Sequence, residues 1–164
     1  PIWPDAQFSL YELASFGKDY KTAEFHLKQV IAMKPTFENI SLLAELYGNQ
    51  GRFKDAENLF AHLNAIRHKA EDKKSALNTT HKYMLTLIRL GKGRLLHSTA
   101  IQSIEKYGRL PSLEYAVVKG LLLQGKKAEA RTRYNEELHA AKPTHPIYSR
   151  SQELKLELDR PEAR

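Results

Sequence analysis

The chain has 164 residues, of which 41% are hydrophobic, and this is enough for one domain or a short repeat array with a buried core. It contains no cysteine, which excludes a disulfide framework and a thiolate metal site but does not choose a compartment. Twenty-six basic and nineteen acidic residues give a net charge of +7, which favours acidic partners.

Neither end of the sequence carries a signal peptide or a segment apolar enough to span a membrane. A soluble chain is therefore expected, and its compartment stays open, with the cytoplasm slightly favoured. Because the sequence begins at Pro1 without Met, we expect a processed product or a fragment of a longer protein.

Apolar residues at spacings of three and four predict nine helices. In chain order, the predicted ranges are Asp5–Phe16, Tyr20–Met33, Phe37–Asn49, Phe53–Ile66, Asp72–Leu90, Arg94–Tyr107, Pro111–Gln124, Lys126–Ala141 and Ile147–Leu158. Four glycines separate the members of successive helix pairs. Gly17, Gly51, Gly91 and Gly125 follow one another at separations of 34, 40 and 34 residues. The six extra residues of the longer spacing fall around His68–Lys74.

The first two pairs share a pattern of large and small apolar residues. The first pair contains Tyr20, Ala23, Leu27 and Val30, but its glycine stands one residue early, so we expect it at the edge of an array. The second pair has the fullest pattern, formed by Ile40, Leu43, Ala44, Tyr47, Gly51, Phe53, Ala56, Phe60 and Leu63.

The last two pairs keep parts of the same pattern. In the third pair, Leu96 stands at a usually small position and Ala100 at a usually large one, while Gly93 replaces an aromatic residue. The fourth pair keeps Ala130 and Tyr134. With its period of about 34 residues, this pattern resembles the tetratricopeptide repeat family.

The resemblance implies an all-α fold, a right-handed α-solenoid of helix-turn-helix repeats. The implied divisions are helix pairs at about 5–35, 36–68, 72–107 and 110–143, with a C-terminal capping helix and tail at 144–164. Since stacked pairs leave an extended concave surface, the implied function is a non-catalytic scaffold or adaptor that binds a partner peptide or helix. An adaptor in the assembly of a larger complex ranks first.

The first helix of each pair usually lines the concave face in this family. Projected onto this chain, that face consists of Phe8, Glu12, Ser41, Glu45, Asn49, His81, Leu85, Arg89, Tyr115, Lys119 and Leu122. The early part is acidic and polar and the later part apolar and basic, so we expect acidic or apolar ligand groups near Arg89, Tyr115 and Lys119. The alternative is that all eleven are ordinary exposed residues.

No pattern in the sequence predicts catalysis, a metal site or a cofactor. The seven histidines lack His-Glu-x-x-His spacing, and the stretch around Gly91–Gly93 lacks a complete phosphate-binding loop. The family's Lys/Asn clamp for a terminal carboxylate is also missing, because Glu12, Ser41, Glu45 and Leu85 occupy the corresponding places.

Two other functions stay open at this stage. One is RNA binding, with Tyr83, Tyr107, Tyr115 and Tyr134 as stacking groups, although Tyr134 is better placed in a core. The other is a scaffold that associates with itself.

Overall fold

A computed structural model describes residues 3–67, 73–139 and 147–161. These residues form nine α-helices and no strand, which confirms the predicted all-α fold. The helices are α1 (Pro4–Phe16), α2 (Tyr20–Met33), α3 (Phe37–Asn49), α4 (Phe53–Arg67), α5 (Lys73–Arg89), α6 (Gly93–Tyr107), α7 (Pro111–Leu123), α8 (Lys127–Glu137) and α9 (Tyr148–Asp159).

Most helix bounds agree with the predicted ones to within one residue, and α8 is the exception. It ends at Glu137 instead of Ala141, because the backbone amides of Leu138 and His139 both turn back onto the Tyr134 carbonyl. Most of the predicted connection around His68–Lys74 and the predicted repeat boundary at Pro143 lie outside the described residues.

The chain divides into two compact units, Pro1–Thr86 (unit 1) and Leu87–Arg164 (unit 2), with the boundary inside α5. In unit 1, α1 packs on α2, α2 on α3 and α3 on α4. Ala23, Ala44 and Ala56 are fully buried there, which lets neighbouring helices approach closely. The middle of α5 is joined to α4 by a hydrogen bond of 2.6 Å from Thr80 Oγ1 to Asn64 Oδ1.

Side-chain caps explain where two helices of unit 1 begin. The Asp19 carboxylate accepts a hydrogen bond of 3.2 Å from the Thr22 amide, and Thr36 Oγ1 accepts one of the same length from the Asn39 amide. The side chain and then the amide of Thr22 lower the pKa of Asp19 by donating hydrogen bonds to its carboxylate. Each cap satisfies an amide that has no partner within its helix.

The turn of the first helix pair differs from the other three. Gly51, Gly91 and Gly125 have positive φ angles of 75°, 66° and 75°, whereas Gly17 has an ordinary helical φ of −72°. The left-handed position in the first turn is taken by Lys18, with φ 58°. The early glycine noted in the sequence is therefore a different turn position, and a lysine carries the backbone strain that glycine avoids in the later turns.

In unit 2, two glycines allow a close crossing of α6 and α7. A Cβ added to Gly93 would lie 2.7 Å from Leu123 Cβ, and one added to Gly120 would lie 2.9 Å from the His97 backbone nitrogen. An aromatic side chain at position 93 would occupy the space filled by α7. The missing aromatic of the third pair is thus explained by this crossing.

The exchanged pair Leu96 and Ala100 is fully buried in the core of unit 2. Beyond it, α7 packs against α8, and α9 packs against both. The last helix is therefore part of the packed structure of this unit.

The contrast between the turns predicts unequal effects of the same substitution. Gly51→Ala places a Cβ at positive φ and should cost about 1–2 kcal/mol of unfolding free energy. Gly17→Ala should be neutral or stabilise by up to about 1 kcal/mol, because Gly17 is helical and its added Cβ would meet no atom closer than 3.5 Å. Urea denaturation of both variants tests this, and equal losses would contradict the assignment of the turns.

Ala56 tests the close packing of unit 1. Because its Cβ is fully buried, Ala56→Leu should overpack the core and lower the free energy of unfolding by about 1–3 kcal/mol. Ala32→Leu on the exposed side of α2 is the matched control and should change stability by less than about 0.5 kcal/mol. An unchanged denaturation midpoint for Ala56→Leu would be inconsistent with this packing.

Candidate functional site

A depression of about 250 Å³ lies between α3 and α5 in unit 1. Ser41 and Glu45, both predicted for the binding face, line it together with Asn78 and Lys82. The Lys82 ammonium forms an ion pair with Glu45 Oε1, and Ser41 Oγ lies 3.5 Å from the same oxygen. Asn78 and Lys82 are not among the residues predicted for the binding face, although they follow one another at helical spacing on α5.

The other predicted residues of unit 1 are spread over its surface. Phe8 lines a separate depression with Val30 and Asn39, and its ring lies 5.5 Å from that of Tyr11. The exposed residues among the predictions are Glu12, Asn49 and Leu85, and His81 is half-buried.

The phenol of Tyr11 on α1 interacts electrostatically with the carboxylate of Glu45 on α3. It is buried, and that burial, together with the nearby carboxylate of Glu45, raises the pKa of Tyr11. The neighbour of Glu45 on α1 is therefore the uncharged phenol of Tyr11, and its neighbour on α5 is the ammonium of Lys82.

In unit 2, the predicted residues of α7 face α9. The Lys119 ammonium lies 2.6 Å from both carboxylate oxygens of Glu157, and the Arg150 guanidinium lies 6.0 Å from the centre of the Tyr115 ring. Burial raises the pKa of Tyr115, and the charge of Arg150 opposes this rise. Lys119 and Tyr115 thus already have partners within the chain, which the sequence did not reveal.

The remaining two predicted residues of unit 2 differ in position. Leu122 is half-buried and lines a depression shared with α9, whereas Arg89 is an exposed residue at the end of α5.

Two depressions, each of about 550 Å³, flank the C-terminal end of α7 and share Leu123. Three leucines of these depressions are well exposed: Leu156 at 66%, Leu95 at 38% and Leu123 at 37%. Basic residues surround them. The whole set, called here the leucine–basic surface, consists of Leu95, Leu122, Leu123 and Leu156 with Lys92, Arg94, Lys126 and Arg160.

Acidic groups lie on one side of this surface. Glu153 and Glu157 line the depression next to α9, and Glu129 pairs with Lys126 at 3.2 Å. The depression at the start of α6 has basic residues and no acidic one among its described lining.

The positive charge of the chain is concentrated in unit 2. Residues 1–86 contain eleven basic and ten acidic residues, whereas residues 87–164 contain fifteen basic and nine acidic ones. Unit 1 therefore carries a net charge of +1 and unit 2 a net charge of +6. An acidic partner would be attracted mainly to unit 2.

A buried ion pair holds α7 against α8. The Glu114 side chain is only 2% exposed, and its two oxygens accept hydrogen bonds of 2.8 and 2.9 Å from Arg133 Nε and Nη2. One feature of the sequence could have indicated this pair. Glu114 stands at the position that the apolar Ile40 has in the second helix pair, so a charged residue occupies a position that is otherwise apolar.

The tyrosines proposed for RNA stacking are not equally accessible. Tyr83 and Tyr134 are buried, so Tyr83 is not available for stacking and Tyr134 lies in the core as expected. Tyr107 and Tyr115 are half-buried.

The described part of the chain offers no group of three or more histidine, aspartate or glutamate side chains that could hold a metal ion. Among the helices of those residues, none is both long and apolar enough to cross a membrane.

The ion pair of Glu114 and Arg133 predicts a large effect of substitution on the free energy of unfolding. Arg133→Ala would leave the Glu114 carboxylate buried without its partner and should lower the free energy of unfolding by about 3–5 kcal/mol. The double variant Glu114→Leu with Arg133→Leu removes both charges and should recover most of that loss. Denaturant titration compares the two, and a double variant as unstable as Arg133→Ala would contradict the role of the unpaired charge.

Comparison with known proteins agrees with this geometry. Residues 17–77 match the family model described as tetratricopeptide repeat. A search of curated proteins found no match. The matched segment contains α2, α3 and α4, the turn at Gly51 and the buried alanines at their crossings. Residues 17–77 are therefore similar to the tetratricopeptide repeat, and the described residues form the all-α array of helices that is consistent with such repeats.

Proposed function

We propose that this protein is a non-catalytic adaptor that binds an acidic, partly apolar segment of another protein on the leucine–basic surface of unit 2. Tetratricopeptide repeats are in general protein–protein interaction modules, which supports a protein as the partner. The observation that carries the proposal is the meeting of exposed leucines with basic residues at the end of α7.

The leucines and the basic residues have separate roles in this proposal. Burial of Leu95, Leu123 and Leu156 against apolar partner side chains supplies most of the binding free energy. Arg94 and Lys126 attract acidic groups and mainly accelerate association. A helix with leucines along one face and glutamates beside them has the matching chemistry.

The partners of Tyr115 and Lys119 change the role we assign to them. Since Lys119 pairs with Glu157 and Tyr115 lies beside Arg150, these residues hold α9 next to α7 and so shape the depression that contains Leu122 and Leu156. Their effect on binding is therefore proposed to be indirect. A direct contact of Arg89 with the partner stays a prediction.

The polar depression of unit 1 is proposed as a second, separate binding surface. Ser41, Asn78 and the Glu45–Lys82 pair offer both donors and acceptors, which suits a polar stretch of a peptide better than an apolar one. Direct contacts of the partner with Phe8, Glu12, Asn49, His81 and Leu85 stay predictions.

Two synthetic helical peptides test the proposal. They share one leucine face, and one has glutamates beside it where the other has lysines. Fluorescence anisotropy should show binding of the glutamate peptide, and Arg94→Glu should weaken this binding by more than about fivefold, chiefly through slower association. Lys54→Glu in unit 1 makes the same charge change on an exposed residue and should have little effect.

Three outcomes would overturn the proposal. Equal binding of both peptides would remove the role of charge, and equal losses with Arg94→Glu and Lys54→Glu would indicate diffuse attraction by the whole chain. Tighter binding of a single-stranded oligouridine RNA, with an affinity that falls steeply as salt is raised, would favour the RNA alternative.

A further inference from the structure

The first helix carries an exposed apolar stripe that no other described element covers. Trp3 is 80% exposed, Leu10 39%, Leu13 70% and Phe16 91%. Their spacing of seven, three and three residues, with Ala6 between the first two, places them along one side of α1. The opposite side of the helix contains the buried residues Gln7 and Tyr11.

The stripe is large enough to contribute much of the buried area of an interface between two chains. Isolated exposed leucines are common on protein surfaces, but here Leu10, Leu13 and Phe16 of α1 are all exposed together with Trp3, which directly precedes the helix. A buried aromatic side chain removes about 150–250 Å² from water, so the four rings of a symmetric pair of chains would bury roughly 600–1,000 Å² if they were fully covered. Specific stable interfaces begin at about 1,200 Å², and the leucines and the backbone between the rings would supply much of the difference.

The order of residues in the stripe is complementary to itself when a second copy runs in the opposite direction. With the two-fold axis near Ser9 and Leu10, the small Ala6 of one copy faces the large Leu13 of the other, while Trp3 and Phe16 lie at the two ends of the interface. This alternation of large and small side chains is what close packing of two helices requires. A parallel pair would instead place each large residue against its own copy.

The charges beside the stripe favour the same direction. Asp5 lies in the first turn of α1, whereas the exposed Lys18, Asp19 and Lys21, with a net charge of +1, follow its last turn. An antiparallel pair brings the acidic end of each α1 towards the basic end of the other, and a parallel pair would bring like charges together. Two antiparallel helices also oppose their macrodipoles favourably.

We propose that the stripe Trp3–Leu10–Leu13–Phe16 on α1 is the interface of a homodimer in which two α1 helices pack antiparallel about a two-fold axis. The interface is isologous, since the same patch serves on both chains. An interface of this size lies at the low end of the range for specific complexes, so we expect a weak dimer that forms as concentration rises. The leucine–basic surface proposed for partner binding consists of other residues, so the two proposals can be tested independently.

Sedimentation equilibrium of the 164-residue chain tests the dimer. The weight-average mass should rise with concentration towards twice the 18.8 kDa of one chain. Leu13→Glu should weaken dimerisation by more than about tenfold, because it places two carboxylates in the apolar interface. Leu156→Glu on α9 is the matched control, with 66% exposure against 70%, and should leave dimerisation unchanged while it weakens binding of the glutamate peptide.

Both leucines are exposed, so the two variants should fold, and circular dichroism checks this. A chain that stays monomeric at every concentration overturns the dimer. Equal weakening by Leu13→Glu and Leu156→Glu overturns the assignment of the interface to α1.

Single cysteine substitutions test the relative direction of the two α1 helices. Because the chain contains no cysteine of its own, any disulfide must form through the introduced residue. Ser9→Cys lies near the proposed axis and should form a disulfide between the two copies under mild oxidation. Asp5→Cys should not, because its copy lies at the far end of an antiparallel pair. Rapid crosslinking through Asp5→Cys would show parallel packing and overturn the proposed arrangement.

Discussion

The close approach of neighbouring helices at residues with minimal side chains is the constraint on which both units of this protein depend. A short helix cannot bury its apolar face alone, so each must pack against another along much of its length. In unit 1 the small residues Ala23, Ala44 and Ala56 have no exposed surface, as close packing of neighbouring helices requires. In unit 2 the approach reaches its limit at Gly93 and Gly120, where even one added carbon would meet the facing helix below 3.0 Å.

This constraint also determines which surfaces are left for binding. Since α6 and α7 approach so closely near Gly93, the start of α6 and the end of α7 lie side by side, and Leu95 and Leu123 line one depression. The basic residues of two turns, Lys92 and Lys126, border it. A position that departs from the repeat pattern thus helps to create the surface proposed for partner binding.

The last helix changes the chemistry of the face that the repeat pattern predicts. Glu157 neutralises Lys119, and Arg150 lies beside Tyr115. The two residues that were expected to bind a ligand therefore make contacts with α9 instead. The groups that remain accessible are shifted by about one helical turn, to Leu122 and Leu123 and the neighbouring basic side chains. Partner binding in unit 2 is therefore proposed at the end of α7 instead of its middle.

Several features were predictable because their signals are local. Helix positions follow from apolar spacing, as the agreement at Tyr20–Met33 and Phe37–Asn49 shows. The large-and-small pattern of the second pair was sufficient for the family, and the family model matches that part of the chain. The end of α8 was predicted less well, because nothing in its sequence marks the turn of Leu138 and His139 onto Tyr134.

The helices, the similarity of residues 17–77 to tetratricopeptide repeats and the excess of basic residues all follow from residue type and short-range spacing. Which residues meet across large separations depends on how the helices pack. Lys119 and Glu157 are 38 residues apart and Glu114 and Arg133 are 19 apart, and no periodic pattern links either pair. The left-handed Lys18, the crossing at Gly93 and Gly120, and the open stripe on α1 are likewise properties of packed helices, because a side chain's exposure depends on which other elements reach it.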